Sequence, residues 1–173
     1  MGVPMRRKEK VEHFTKLIRP MMETPAWRAL SPTAQALYPW LKLEWRGPDN
    51  NNNGKIQFSV RQAKESLGVS INTAAKAFHE LQAKGFIVVK EPAKLGSSGE
   101  AKSPAYEITE LRTRTREEKV GRKLYMDWRE GRDYPVIKAQ ANNPKGANGK
   151  TKAHLKNDDV TVLDIETFRE RAS

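Results

Sequence analysis

The stretch SVRQAKESLGVSINTAAKAFHELQAKGFIVV, residues 59 to 89, holds two helix signals and one strand signal in close succession. Ser59 is a residue type that caps helix N-termini, and it precedes a segment with helical spacing, Val60 to Leu67. Gly68 then permits the left-handed backbone conformation that ends many helices. We therefore predict a short helix that ends in a tight turn.

A second helix is predicted directly after this turn. Ser70 is its expected cap, and the helix is predicted to run from Ile71 to Lys84, where Gly85 closes it. The aromatic and β-branched run Phe86 to Lys90 is typical of a strand. Spacings of four and three residues predict that the inward face of the second helix consists of Ala74, Phe78 and Leu81.

Upstream of this stretch, further elements are indicated by local signals. Lys55 to Phe58 alternates polar and apolar residues as a short strand would, and Gly47 to Gly54 is predicted to be a loop. The pair Ser31-Pro32 is a helix-start signal. Val11 to Met22 has apolar residues every three to four positions, which predicts a leading amphipathic helix whose last turn Pro20 disturbs.

Downstream, the strand at Phe86 to Lys90 is followed by a predicted loop, Pro92 to Pro104. Ala105 to Thr109 alternates again and is expected to pair back on the preceding strand as a hairpin.

This order of helices and hairpin, between about Ser31 and Glu110, resembles that of the winged helix-turn-helix family. The quoted residues are similar to the family pattern of helix, Gly-hydrophobic-Ser turn, second helix and strand. The chain also resembles phage- and plasmid-type DNA-binding proteins, including replication initiators and regulators. The resemblance implies an α+β, mainly helical fold: a winged helix-turn-helix with an N-terminal helix and a basic, partly flexible C-terminal extension. The chain departs from the family pattern at Ala74 and Lys76, where relatives often carry Val and Arg. Lysine is less suited than arginine to bidentate hydrogen bonding with guanine.

The chain is strongly and unevenly basic. Its 173 residues include 32 Lys and Arg against 21 Asp and Glu, a net charge of +11. A small basic protein most often binds a polyanion, and here nucleic acid is the expected one. We divide the chain into a basic flexible N-terminus (1–10), the winged helix-turn-helix with its leading helix (11–110), a basic and aromatic extension (111–137), and a flexible basic linker with a short C-terminal segment (138–173).

The resemblance implies that the second helix enters the major groove of double-stranded DNA and that its first turns reach base edges. The preceding helix would lie on the phosphate backbone and the hairpin tip on an adjacent groove. The alternative is that these residues only cap helices or carry solvated charge. The candidate DNA-binding residues are Arg61, Gln62 and Lys64 on the first helix; Ser70, Asn72, Thr73, Lys76 and His79 on the second; Lys94, Ser97, Ser98 and Lys102 in the wing; and Arg112, Arg114 and Arg116 after the hairpin.

Enzymatic chemistry is not expected. The chain has no cysteine, and its three histidines lie far apart in sequence without a metal-binding spacing. We predict no catalytic residues, no metal and no cofactor. No apolar run approaches the length of a membrane span, so we expect no membrane association and a cytoplasmic, nucleoid-associated location.

Three functional interpretations stay open at this point. The first is a sequence-specific regulator of transcription from a mobile or phage-like element. The second is a replication-initiation protein that binds an origin and recruits helicase machinery, and the third is a protein-interaction module without DNA specificity. A homodimer is a further expectation, through either the leading helix with Phe14, Leu17 and Ile18 or the aromatic cluster Tyr125, Trp128 and Tyr134; intramolecular packing of both is the alternative.

Overall fold

The computed structural model describes residues 13–95, 101–113 and 120–138. Within these residues the fold is α+β, with five α-helices, one 3₁₀ turn and a small antiparallel sheet, an arrangement compatible with a winged-helix shape. The helices are α1 (Arg19–Met22), α2 (Pro25–Arg28), α3 (Pro32–Leu43), α4 (Val60–Leu67) and α5 (Ile71–Ala83), and the 3₁₀ turn is η1 (Leu124–Met126).

The strands form a three-stranded sheet and a separate two-stranded ladder. In the sheet, β1 (Ile56–Gln57) and β2 (Ile87–Glu91) flank the central strand β5 (Ala105–Ile108). The two-stranded ladder pairs β3 (Lys94–Leu95) with β4 (Ala101–Lys102). Because it lies between β2 and β5 in sequence, it extends the hairpin that these two strands form, and we call it the distal ladder.

Serine caps begin the three longest helices, as predicted. The hydroxyl oxygens of Ser31, Ser59 and Ser70 accept hydrogen bonds from backbone N–H groups three residues later, at 3.1 to 3.2 Å. Gly68 ends α4 in the left-handed region at φ +65°. The tight turn between α4 and α5 is therefore confirmed, together with both helices.

The predicted leading helix from Val11 to Met22 is wrong for residues 13–18 and is confirmed only for Arg19–Met22. Residues 13–18 are not helical, and α1 begins only at Arg19. Pro20 is the physical reason, because proline fits the first turn of a helix but not its interior, where its ring meets the carbonyl group four residues earlier. The proline therefore marks the start of this helix and not its last turn, and Phe14 is left 81% exposed.

The prediction that Pro92 to Pro104 is only a loop is also wrong in part. Two residue pairs within it, Lys94 with Lys102 and Leu95 with Ala101, are antiparallel partners in the distal ladder. Both strands have only two residues, too short for a recognisable alternation.

Four aromatic rings form the centre of the core. Trp27, Tyr38 and Phe86 meet one another edge to face, with ring centroids 5.4 to 5.7 Å apart. Tyr125 stacks on Phe86 at 4.9 Å. A residue from the extension thus completes a core that begins in α2 and α3.

The extension is held on the sheet by polar contacts as well. Arg122 makes two hydrogen bonds of 2.8 Å to the carboxylate of Glu107, which is buried on β5, and Lys123 N–H donates to the carbonyl of Thr109 at 2.7 Å. Tyr125 and Trp128 are buried and Tyr134 packs against the core. For this aromatic cluster, intramolecular packing is confirmed.

A buried ion pair joins α3 to the chain after β5. Lys42 Nζ lies 2.7 Å from Glu110 Oε2, and the Tyr38 hydroxyl donates to the same oxygen at 2.7 Å. Burial, followed by the Glu110 charge, raises the pKa of Tyr38 well above its usual range. Tyr38 therefore stays neutral and serves as a hydrogen-bond donor.

Candidate nucleic-acid interface

Helix α5 has a buried face and an accessible face. Ala74, Phe78 and Leu81 are buried, as their spacing predicts. On another side, Asn72 and Lys76 are exposed and His79 is half-buried. Their spacings of four and three residues place these three side chains along one line of the helix surface, which we call the α5 stripe.

The two hydroxyl residues at the start of α5 are engaged with each other. Ser70 Oγ accepts from Thr73 N–H at 3.1 Å, and the two hydroxyl oxygens lie 2.8 Å apart. The capping role of Ser70 is therefore confirmed, whereas a DNA contact by either hydroxyl stays a prediction.

Helix α4 contributes two exposed cations next to α5. Arg61 and Lys64 are both exposed. Gln62 has a structural role, because it forms a reciprocal capping box with Ser59, in which Ser59 N–H donates to Gln62 Oε1 at 2.8 Å. Of the three residues predicted on this helix, Arg61 and Lys64 are the better placed for phosphate.

The charge on these two helices is only modestly positive. Together α4 and α5 carry three cations, Arg61, Lys64 and Lys76, and two carboxylates, Glu65 and Glu80. Glu80 is directed to α3, where its Oε2 accepts from Ser31 N–H at 2.8 Å. One of the two carboxylates is thus used in packing and does not belong to the α5 stripe.

The half-buried side chain of His79 lies at the far end of the α5 stripe. Burial, and then the charge of Lys138, lower its pKa from the ordinary value of 6.5. The imidazole is therefore mostly neutral at pH 7, where one ring nitrogen can donate and the other can accept a hydrogen bond, and it adds little positive charge.

The distal ladder carries two of the predicted wing residues. Lys94 lies in β3 and Lys102 in β4. Lys102 Nζ is 3.6 Å from Glu91 Oε2, with both side chains more than half exposed. An exposed pair of this kind contributes only about 0–1 kcal/mol, so a phosphate can displace the carboxylate. Ser97 and Ser98 lie outside the described residues.

Arg112 lies away from the distal ladder, beyond the other end of β5. Its Nη2 donates to the carbonyl of Pro48 at 3.3 Å, and its own carbonyl accepts from the side-chain amides of Asn51 and Asn53. The structure therefore attaches Arg112 to the asparagine-rich loop that precedes β1. Arg114 and Arg116 lie outside the described residues.

Two residues of this region were not among the sequence predictions. Ile71, the first residue of α5, is 51% exposed although its spacing from Ala74 and Phe78 continues the inward face. The reason is its place at the helix end, next to the turn. Lys138 is exposed, and its charge acts on His79 over a sequence separation that no local pattern could indicate.

The described residues contain no cluster of three or more His, Cys, Asp or Glu side chains that could hold a metal ion. Across the same residues, every helix is too short or too polar to cross a bilayer. Comparison of the chain with protein-family models, with curated proteins and with solved structures finds no match. The functional argument therefore depends on the geometry and charge described above.

Proposed function

We propose that this protein is a winged helix-turn-helix that binds double-stranded DNA in a sequence-specific manner, with α5 in the major groove. The observation that carries the proposal is the α5 stripe: Asn72 and Lys76 are exposed in line on a helix whose opposite side is anchored in the core. An α-helix fits the major groove, and its N-terminal residues are the ones that reach base edges.

Each part of the stripe suits a different contact. The amide of Asn72 can donate to and accept from an adenine edge at the same time, and Lys76 can reach guanine or a phosphate. Arg61 and Lys64 on α4 would neutralise phosphates beside the groove, and the distal ladder with Lys94 and Lys102 would act as the wing. These contacts position the protein, whereas Asn72 and Lys76 supply the discrimination between sequences.

The test is a selection of binding sites from random duplex DNA, followed by mobility-shift titration of the selected site. The double variant Asn72→Ala with Lys76→Ala should lose the preference for that site, because one good two-point base contact supplies about 1–3 kcal/mol of discrimination. Its thermal unfolding should stay close to that of the parent protein, since both side chains are exposed.

A matched control removes the same residue types elsewhere. Lys16 and Asn50 are exposed and lie outside α4 and α5, so Lys16→Ala with Asn50→Ala should keep the site preference. Retained preference in the α5 variant would refute the assignment of α5. Failure of the full chain to bind any duplex would favour the protein-interaction module.

The biological role within DNA binding is a separate proposal. We favour a transcriptional regulator of a mobile or phage-like element over a replication initiator. Affinity capture with the selected DNA tests this choice, because recovery of a helicase or helicase loader would favour initiation, whereas repression or activation of a reporter promoter that carries the site would favour regulation.

A further inference from the structure

The side-chain amide of Asn53 joins the asparagine-rich loop before β1 to the end of the central strand. Its Nδ2 donates to the carbonyl groups of Ile108 and Leu111, each at 3.0 Å, and to that of Arg112 at 3.2 Å. Its Oδ1 accepts from Ile108 N–H at 2.7 Å. The residue is only 4% exposed. This position therefore needs a side chain that both donates and accepts, as an amide does and an ionised carboxylate does not.

The residue after it, Gly54, is fixed through its backbone. Its φ is +90°, in the left-handed region that favours glycine. Its N–H donates to the carbonyl of Tyr106 on the central strand at 3.1 Å. The fold thus requires asparagine and glycine in this order, the first for its amide and the second for its backbone conformation.

An Asn-Gly pair is the dipeptide in which asparagine loses its amide most readily. The backbone nitrogen of glycine is not shielded by a side chain, and it attacks the side-chain Cγ of asparagine. Ammonia leaves as a succinimide ring closes. Water then opens the ring at either carbonyl group and gives aspartate or isoaspartate. The net reaction converts an amide and one water into an acid and ammonia, so it needs no oxidant, cofactor or enzyme.

In the folded protein, both reacting groups are engaged elsewhere. For the ring to close, the Asn53 side chain must give up its hydrogen bonds to the chain after β5, and Gly54 N–H must leave the carbonyl of Tyr106. These bonds are lost together when the loop separates from the central strand. The rate of the reaction therefore reports how often this contact opens.

We propose that Asn53-Gly54 is a modification site that the folded state protects and the unfolded chain exposes, and that the modified chain cannot regain the native fold. A carboxylate at position 53 would be buried against three carbonyl oxygens, with no donor for any of them. Isoaspartate would in addition lengthen the backbone by one carbon just before β1. The pair thus limits the time for which an unfolded chain can still refold, a property that does not depend on DNA binding.

The first test compares deamidation in the folded and unfolded chain. The full chain is incubated at one pH and temperature, in buffer or in guanidinium chloride, and is digested with trypsin at intervals. Position 53 falls on the tryptic peptide of residues 47–55, and fragment-ion spectra locate the product within it. We expect the folded chain to react at least about tenfold more slowly, because only its open fraction reacts. Equal rates would overturn the proposal.

The second test follows the modified chains through refolding. Unfolded protein that has been aged until part of it is modified is diluted out of denaturant, and native and non-native fractions are separated by size-exclusion chromatography. The product at position 53 should be concentrated in the non-native fraction, and the same proportion in both fractions would refute the proposal. The other Asn-Gly pair, Asn148-Gly149, lies outside the described residues and on a different tryptic peptide, so its product is counted separately.

A pair of variants tests the consequence of the modification directly. Asn53→Asp carries the product side chain, and it should lower the midpoint of thermal unfolding by about 10 °C or more, or prevent folding altogether. The control Asn50→Asp makes the same chemical change at an exposed position of the same loop, and its midpoint should stay close to that of the parent protein. An Asn53→Asp protein as stable as Asn50→Asp would show that the modified chain can fold, and the proposal would fail.

Discussion

Over its first two turns α5 exposes Ile71, Asn72 and Lys76, whereas at its last turn Gln82 and Ala83 are buried. The first end is held by its own cap, through Ser70 and Thr73. The last end is bonded to residues more than fifty positions away in the chain. One helix is thus divided between a part that is available to a partner and a part that fixes its orientation.

This division of α5 affects how well its exposed side chains could bind a DNA groove. Side chains that read a groove must be held in a defined geometry by packing behind them, since a loose site loses both affinity and selectivity. Phe78 serves this purpose by stacking on Tyr106 of the central strand, with ring centroids 5.2 Å apart. The accessible end of α5 is therefore supported by the sheet as well as by its neighbouring helices.

The largest change in the free energy of unfolding should come from a substitution on the buried face of α5. Leu81 is fully buried, and Leu81→Ala should lower the free energy of unfolding by about 2–5 kcal/mol through lost burial and a residual cavity. At the other end, Ile71→Ala should change it by no more than about 0.5 kcal/mol, because the side chain is half exposed. Urea unfolding followed by circular dichroism measures both, and equal costs would contradict the division.

A smaller change in stability is expected when the contact between the C-terminal end of α5 and the extension is disturbed. Two glycine substitutions distinguish this contact from backbone strain. A Cβ at Gly85 would lie 2.8 Å from Tyr134 Cε2 and 3.0 Å from the backbone of Leu124, whereas at Gly68 it would meet nothing within 4 Å. Both glycines have positive φ, so Gly68→Ala reports the backbone strain alone.

Gly85→Ala should therefore destabilise the protein by about 1–3 kcal/mol more than Gly68→Ala, the usual cost of overpacking. Thermal unfolding of the two variants gives the difference. Equal unfolding midpoints for the two variants would mean that Tyr134 and Leu124 can move away from the new Cβ without loss of stability. The extension would then not fix the end of α5.

The smallest effect concerns pH. Burial and the Lys138 charge hold the pKa of His79 below 6.5, so the unfolded chain takes up a proton at a higher pH than the folded chain does. The free energy of unfolding should therefore decrease as the pH falls below about 6.5 towards the folded pKa.

In His79→Gln this part of the pH dependence should disappear, and in Lys138→Gln it should become weaker because the second cause is removed. Urea titrations between about pH 5 and pH 8 provide the measurement. His13 and His154 are unchanged in all three proteins and serve as a common background. An identical pH profile in His79→Gln would show that His79 titrates normally in the folded state.

Much of the fold could be predicted because its signals are local. A serine cap three residues before a bonded N–H, or a glycine that ends a helix, involves residues within one turn of each other. These signals located α3, α4 and α5, and the β-branched run at residues 87–89 located β2. The error at the N-terminus arose where two local signals conflicted, since Pro20 overrides the helical spacing around it.

The remainder depends on contacts that no local pattern encodes. Asn53 hydrogen-bonds to the backbone of Ile108 and Leu111. The asparagine run that the sequence predicts to be only a loop therefore also bonds to the end of the central strand. Tyr134 and Ile137 hydrogen-bond to α5 from distant positions in the same way. The exposed residues of α5 could be predicted from helix periodicity. The long-range contacts that cover the C-terminal end of α5 could not.

The stacking of Tyr125 on Phe86 has a consequence for how the core is completed. Residues 13–110 include every helix and strand described here except η1, yet one face of the Phe86 ring is covered by Tyr125 of the extension. The core around Phe86 is therefore complete only when the extension has docked. A product truncated after Glu110 would expose this aromatic surface and would be prone to aggregation.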